Sequence, residues 1–304
     1  MTDDGRLQFE DRRPSMGCVQ EVLSWARGRL AGTSEAALAA KMLLAHVLGG
    51  TVSELFVHPE RALTADQVVA YRALVARRAR HEPVAYLVGH RGFLDLDLVV
   101  DKRVLIPRPE TELLVERALE AAQRWARPRI ADVGTGSGAI AVSLAVHLPQ
   151  ATVYALDCSA GALEVALQNA QRHEVAGRIA FLQGDLLVPL TSAVDLIVAN
   201  PPYVSVNEYA ALAPDIRLYE PCEALVSGAD GLDAIRMLLS TARSYLVDDG
   251  VLLLEIGAAQ GQAVSALAAR AFPAAQVSLL PDHAGRDRVV CIDLAISTVC
   301  LRSL

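Results

Sequence analysis

From residue 130 onward, short apolar runs alternate with stretches of helical periodicity, and no other feature restricts the fold so strongly. The runs are 130–133, 152–156, 179–182, 196–199, 251–256 and 289–294. Strands separated by helices of about 10–15 residues lie mostly parallel, and helices then cover both faces of the sheet. The expected fold class is therefore a doubly wound, mostly parallel α/β sheet.

The chain ahead of it has a different texture. Val19, Val22, Leu23, Ala26 and Leu30 recur at helical spacing, as do Leu38, Met42, Ala45 and Leu48 before Gly49-Gly50. Thr64-Ala65-Asp66-Gln67 is a capping box that opens a further helix through Val68, Tyr71, Leu74 and Val75, and Pro83 stops it. Residues 18–82 thus form a small helical bundle. Residues 93–100 alternate apolar and polar with period two, as a half-buried antiparallel strand does, inside a hairpin-like connector at 83–109. Pro107-Arg108-Pro109 breaks the chain before an amphipathic helix over 110–125. The sheet domain spans 110–296, with a flexible tail at 1–17 and another at 297–304.

With 304 residues, 53% of them hydrophobic, the chain can bury a large core. Its net charge of −7 argues against gripping nucleic acid through many phosphates. The charge is uneven: residues 1–84 carry 11 Lys/Arg against 10 Asp/Glu, and the remainder 17 against 25. No run approaches a membrane span, and the charged first thirty residues hold no signal-like apolar segment. The 5 cysteines are scattered without a CxxC pair, and the 7 histidines stand singly, so neither a disulfide framework nor a metal site is expected. A cytoplasmic protein without membrane or direct nucleic-acid partners fits these observations.

Two stretches carry chemistry. The first runs Asp132-Val133-Gly134-Thr135-Gly136-Ser137-Gly138-Ala139 between a strand and a helix. Glycines here let the backbone turn tightly and approach a ligand, because no Cβ intervenes. Asp157, 23 residues beyond Gly134, ends the next strand, where a carboxylate can accept from both hydroxyls of a ribose. The pattern describes a nucleoside cofactor site. By itself the loop also satisfies the looser dinucleotide fingerprint. Asp132, two residues before the first glycine, and Asp185, after the third strand, lean toward S-adenosylmethionine over NAD; a local cap and a turn start are their alternatives.

The second stretch is Asn200-Pro201-Pro202-Tyr203, at the carboxyl end of the fourth core strand, where open α/β sheets bind ligands. An amide or nucleobase –NH2 is planar and its lone pair delocalised, so methylating it is mainly a problem of orientation. The Asn200 side-chain oxygen accepts one N–H and the Pro201 carbonyl the other. Consecutive prolines stiffen the corner, and the Tyr203 ring offers a flat face. A rigid strand-ending turn is the bland reading.

At this point the sequence resembles the HemK/PrmC family, the N5-glutamine methyltransferases of peptide chain release factors. The resemblance spans roughly residues 20–294 and includes Pro83-Val84-Ala85-Tyr86-Leu87-x-Gly89, Leu105-Ile106-Pro107-Arg108-Pro109-Glu110-Thr111-Glu112, the glycine loop and the Asn200 corner. Tyr219-Glu220-Pro221, Gly228-x-Asp230-Gly231-Leu232, Glu255-Ile256-Gly257-x-x-Gln260-Gly261 and Asp282-x-x-Gly285-Arg286-Asp287-Arg288 extend it. It implies a seven-stranded class I methyltransferase (Rossmann-like) sheet with a small N-terminal helical-bundle domain. The implied cofactor is S-adenosyl-L-methionine, held by Asp132, Gly134, Thr135, Gly136, Ser137, Gly138, Asp157, Asp185, Leu186 and Asn200. The implied catalytic set is Asn200, Pro201, Pro202 and Tyr203. Leu186 stands where family members often carry an aromatic residue. The implied substrate is the glutamine of the Gly-Gly-Gln loop of a class I release factor, with a monomer expected and the helical domain grasping the partner. The exposed basic cluster Arg77, Arg78 and Arg80 would aid that grasp or simply be a solvated face. Pro107 to Glu110 covers the site or connects the domains, and Glu255 supports the site from below or merely ends a strand.

The competing enzyme reading is a nucleic-acid amino methyltransferase acting on adenine N6 or guanine N2, since a flipped base presents the same –NH2 geometry. It requires a basic target-reading domain, and this chain offers a near-neutral bundle and an acidic body. A cofactor-binding module without catalysis is a reading of a different class.

Overall fold

A computed structural model describes residues 17–295. Apart from Gly17, the tails expected at 1–17 and 297–304 lie outside the described residues. The chain divides into two compact units, Met1–Val88 and Gly89–Leu304.

The first unit is helical: α1 (Val19–Arg29), α2 (Ala36–Leu48), α3 (Val52–Val57), α4 (Ala65–Arg78) and α5 (Val84–Val88). α2 ends on Gly49 at φ +65°, and the Thr64/Gln67 capping box opens α4 as the sequence indicates. Leu43, Leu44 and Tyr71 are fully buried in its core, where the Tyr71 hydroxyl donates to the Ala40 carbonyl at 2.9 Å. The basic cluster is only partly a surface feature. Arg78 is 3% exposed and spends its guanidinium on Ser34 and on the carbonyls of His81 and Glu82. The unit includes α5, past the expected end at residue 82.

The second unit opens with a hairpin, β1 (His90–Phe93) against β2 (Leu96–Val99). The alternating run 93–100 is thus not one strand: the chain reverses at Leu94-Asp95, where Leu94 adopts φ +50°. After α6 (Pro109–Ala122) come β3 (Arg129–Val133), α7 (Ala139–His147), β4 (Thr152–Asp157), α8 (Ala160–Arg172), β5 (Ile179–Gln183) and β6 (Val194–Ala199). The short helices α9 (Val206–Tyr209) and α10 (Pro214–Tyr219) precede α11 (Asp233–Ala242), β7 (Leu246–Glu255), α12 (Gly261–Ala271), β8 (Gln276–Pro281) and β9 (Asp287–Asp293).

The sheet has seven strands in the order β5-β4-β3-β6-β7-β9-β8. β3 to β7 pair parallel, whereas β9 runs antiparallel to both β7 and β8. Successive residues of each strand supply opposite faces. Ile130, Val153, Leu196 and Leu253 pack beneath α6 and α7, while Ala131, Ile197, Leu252 and Leu254 pack beneath α11 and α12. β8 is the strand that apolar runs alone do not reveal, because its residues are only half-buried at the edge. From β3 the chain order departs toward β4 on one side and β6 on the other, and the crevice outside their carboxyl ends is where such sheets bind ligands.

Candidate active site

A cavity of about 400 Å³ opens at that crevice. Its wall is formed by Gly134 and Gly136 after β3, Asp157 at the end of β4, Asp185 and Leu186 after β5, and Asn200 and Pro202 after β6.

The glycine loop has its shape from the backbone. Gly134, Gly136 and Gly138 have φ +74°, +54° and +80°, conformations that cost a residue with a side chain about 1–2 kcal/mol. A Cβ on Gly134 would meet nothing within 4 Å, so its face looks into open space. A Cβ on Gly138 would lie 3.0 Å from that of Ala166, so this glycine instead permits close packing of α7 on α8. The Gly134 and Thr135 amides donate to the Leu156 carbonyl at 2.8 and 2.9 Å. Asp157 accepts from the Gly136 amide on one oxygen and the Ser159 amide on the other, each at 2.9 Å. Each carboxylate oxygen keeps a free lone pair for a ligand hydroxyl.

Asp132, Thr135, Ser137 and Gly138 do not line the cavity; they stand behind the loop. Asp132 is fully buried and accepts from the Thr135 hydroxyl at 2.6 Å and the Ala141 amide at 3.0 Å. Burial pushes its carboxyl up to about 7, against the pull of those two hydrogen bonds. The Ser137 carbonyl accepts from Asn169 at 2.8 Å, and the same buried side chain brackets Val99 of the hairpin. Asn169 was not legible as a functional residue. Its role, tying α8, the hairpin and the loop together, exists only in three dimensions.

The Asn200 corner is held by side chains. The Asn200 amide group donates to the Thr111 hydroxyl at 3.0 Å, and Asn200 lines the cavity with no partner for its Oδ1 among the described residues. The Tyr203 carbonyl accepts from Gln260 Nε2 at 2.9 Å, and the Gln260 oxygen accepts from the Gly257 amide at 2.9 Å. The carbonyls of Pro201 and Pro202 accept no hydrogen bond among the described residues. Pro201 is buried, and Tyr203 is half-buried outside the cavity wall, toward Gly257. Burial, then the neighbouring Glu255 carboxyl, push the Tyr203 phenol up to about 12. Glu220 pins the facing loop, accepting from the Ile106 amide at 3.0 Å and from Arg108 at 2.5 Å. Thr111, Glu220 and Gln260 all lie in the family motifs; Arg103, which lines the cavity, had no such signal. Its guanidinium is fixed by Asp101 at 2.7 Å and Glu164 at 2.8 Å.

The fold and the arrangement of this site define a class I methyltransferase. Over 73% of its length the chain superimposes on 82% of the hMettl16 catalytic domain with a TM-score of 0.54, at 13% identity, a likeness of fold alone. Residues 21–89 match the PrmC N-terminal domain and residues 109–216 the methyltransferase small domain. The release factor glutamine methyltransferase of Geobacter sulfurreducens is 41% identical over 85% of this chain and 90% of its own. That of Xylella fastidiosa is 45% identical over 82% and 90%. The chain belongs to the release factor glutamine methyltransferase family.

The residues present fit S-adenosylmethionine, the methyl donor of such an enzyme. The cavity volume is that of a small-ligand site, and Gly134 keeps open space where a side chain would stand. Asp157, Asp185, Glu223 and Asp233 give the wall an acidic character that suits a sulfonium and an ammonium group. Among the described residues no group of three or more His, Cys, Asp or Glu is placed to hold a metal ion, and no helix is long and apolar enough to cross a membrane.

Proposed function

We propose that the chain methylates the side-chain amide nitrogen of the glutamine in the Gly-Gly-Gln loop of class I release factors. The observation that carries this reading is Asn200 at the cavity wall, its amide nitrogen tied back by Thr111 and its Oδ1 without a partner among the described residues, followed in the chain by two proline carbonyls that accept no hydrogen bond there. S-adenosylmethionine would rest against Gly134, Gly136, Asp157, Asp185 and Leu186 and supply an electrophilic methyl carbon.

The protein's part is orientation and polarisation. Asn200 Oδ1 accepts one N–H of the substrate carboxamide and the Pro201 carbonyl the other. Both hydrogen bonds strengthen as positive charge grows on the nitrogen and its N–H groups become better donors, which favours the transition state over the bound amide. Orientation of this kind can contribute several kcal/mol, since effective molarities reach about 10⁵–10⁸ M. The excess proton leaves to water after transfer, so no strong base is required. Tyr203, with its phenol held neutral, backs the corner. Family membership and the absence of a basic reading surface in the sequence weigh against a nucleobase substrate. The partner is a release factor, the place of action the cytoplasm, and the working unit a monomer.

The test is to incubate the enzyme with S-adenosylmethionine and either a class I release factor or its Gln-to-Ala loop variant, followed by mass spectrometry of the loop peptide. One added methyl on glutamine is expected, with none on the variant. Equal labelling of both would refute the assignment.

A further inference from the structure

Glu255 is the last residue of β7 and is 0% exposed. Ala199 lies opposite Leu254 in the parallel register, so Asn200 and Glu255 leave the sheet side by side. Ala199 and Leu254 face the helices α11 and α12; the next residue on each strand turns to the other face, beneath α6. Thr111 waits there in the first turn of α6, 5% exposed, with its oxygen accepting from Asn200. Neither Glu255 oxygen makes a hydrogen bond of ordinary geometry among the described residues, yet the Thr111 hydroxyl and the Tyr203 phenol both act to favour its anion.

A hydroxyl that accepts from one side has a single proton to give to the other, and a carboxylate can only accept. We infer that Glu255 is a positioning residue: as an anion it takes the Thr111 proton, which reserves the Thr111 oxygen for Asn200 Nδ2 and so turns Asn200 Oδ1 toward the substrate. The hydrogen-bond chain then runs Asn200 to Thr111 to Glu255. Protonated Glu255 becomes a donor and reverses it. Thr111 then gives its proton to the Asn200 oxygen, and the Asn200 –NH2 faces the cavity, where it repels a substrate N–H.

The surroundings place this switch in an accessible range. Burial, and to a lesser degree Glu110 on α6, raise the Glu255 carboxyl to about 7, while Thr111, Arg288 on β9 and Tyr203 oppose the rise. Arg288 is itself shared with the Ile256 carbonyl at 3.0 Å and with Asp282 at 3.7 Å, and Arg108 also acts on Tyr203. The inference rests on the reading that Asn200 Oδ1 holds the substrate amide, and it deepens that reading into a pH-gated one.

The test measures kcat for release-factor methylation across about pH 6 to 8.5, together with the ¹⁵N–¹H signals of the Asn200 side chain in the ligand-free enzyme. Wild-type kcat should fall about tenfold per pH unit below about pH 7. Glu255→Gln should be about tenfold slower at the top of the range and flat across it, since its amide does not titrate. Thr111→Val should lose about 100-fold in kcat, with little change in KM for the methyl donor, and lose the acid limb; Thr111→Ser should keep both rate and limb. The Asn200 signals should titrate near the same pH in wild type and not in Glu255→Gln. An acid limb that survives in Glu255→Gln, or Asn200 signals indifferent to pH in wild type, would overturn the inference. If the wild type methylates no glutamine, the functional reading fails separately, and the Asn200 titration still decides the chain's direction.

Discussion

The glycine loop after β3 and the Asn200 corner after β6 close the ends of adjacent parallel strands, yet they are built by different means. The loop is a backbone object: positive-φ glycines, amides donating to Leu156 and Asp157, and a buried Asp132 all come from a short span of sequence. The corner is a side-chain object. Thr111 arrives from 89 residues away and Gln260 from 57, and each makes one hydrogen bond that decides which way a functional atom points. A site that must hold an abundant cofactor can be written locally, whereas one that must orient a weak nucleophile draws on the whole fold.

The difference can be broken most sharply at Asn200. Asn200→Ala should lower turnover by a factor of about 10³ or more while methyl-donor affinity, read by calorimetry, stays within about tenfold. A parallel loss of both would mean the two sides are not separable. Gly138→Ala should do the reverse. Its Cβ would crowd Ala166 at 3.0 Å in a φ +80° conformation, and a destabilisation of about 1–3 kcal/mol with about tenfold weaker donor binding is expected. Thermal melts with and without donor would measure both. Gln260→Ala frees the Tyr203 carbonyl and should cost about tenfold in kcat, with the dissociation constant of the donor unmoved.

The smallest effect sharpens the comparison through pH. Asp132 and Glu255 are each raised to about 7 from ordinary values of 3.8 and 4.5. Between these limits the folded protein holds protons that the unfolded chain has lost, so both groups make stability fall as pH rises from about 4 to about 7. Either Asp132→Asn or Glu255→Gln should flatten that decline by a few degrees in Tm. Only Glu255→Gln should also flatten the acid limb of kcat.

Much of this was legible in the sequence for the same reason that the two sides differ. The doubly wound class followed from alternating apolar runs, and the glycine loop from residues adjacent in the chain. The half-buried edge strand β8 lacks the apolar signature of the inner strands, and Leu94 at φ +50° turned an apparent strand into a hairpin. Asp132, Thr135, Ser137 and Gly138 belong to the motif but stand behind the cavity wall, because residues adjacent in sequence need not share a face. Arg78, one of a basic run, is buried by Ser34, which lies 44 residues away in the chain. Asn169 and Arg103 act through partners that no local pattern announces.

The most direct measurement is a crystal structure of the chain with S-adenosylhomocysteine and a glutamine-containing release-factor loop peptide. The carboxamide nitrogen should face the sulfur, with one N–H given to Asn200 Oδ1, the other to the Pro201 carbonyl, and Asn200 Nδ2 still on Thr111. A carboxamide turned away from the sulfur, or lodged elsewhere with Asn200 untouched, would contradict the account.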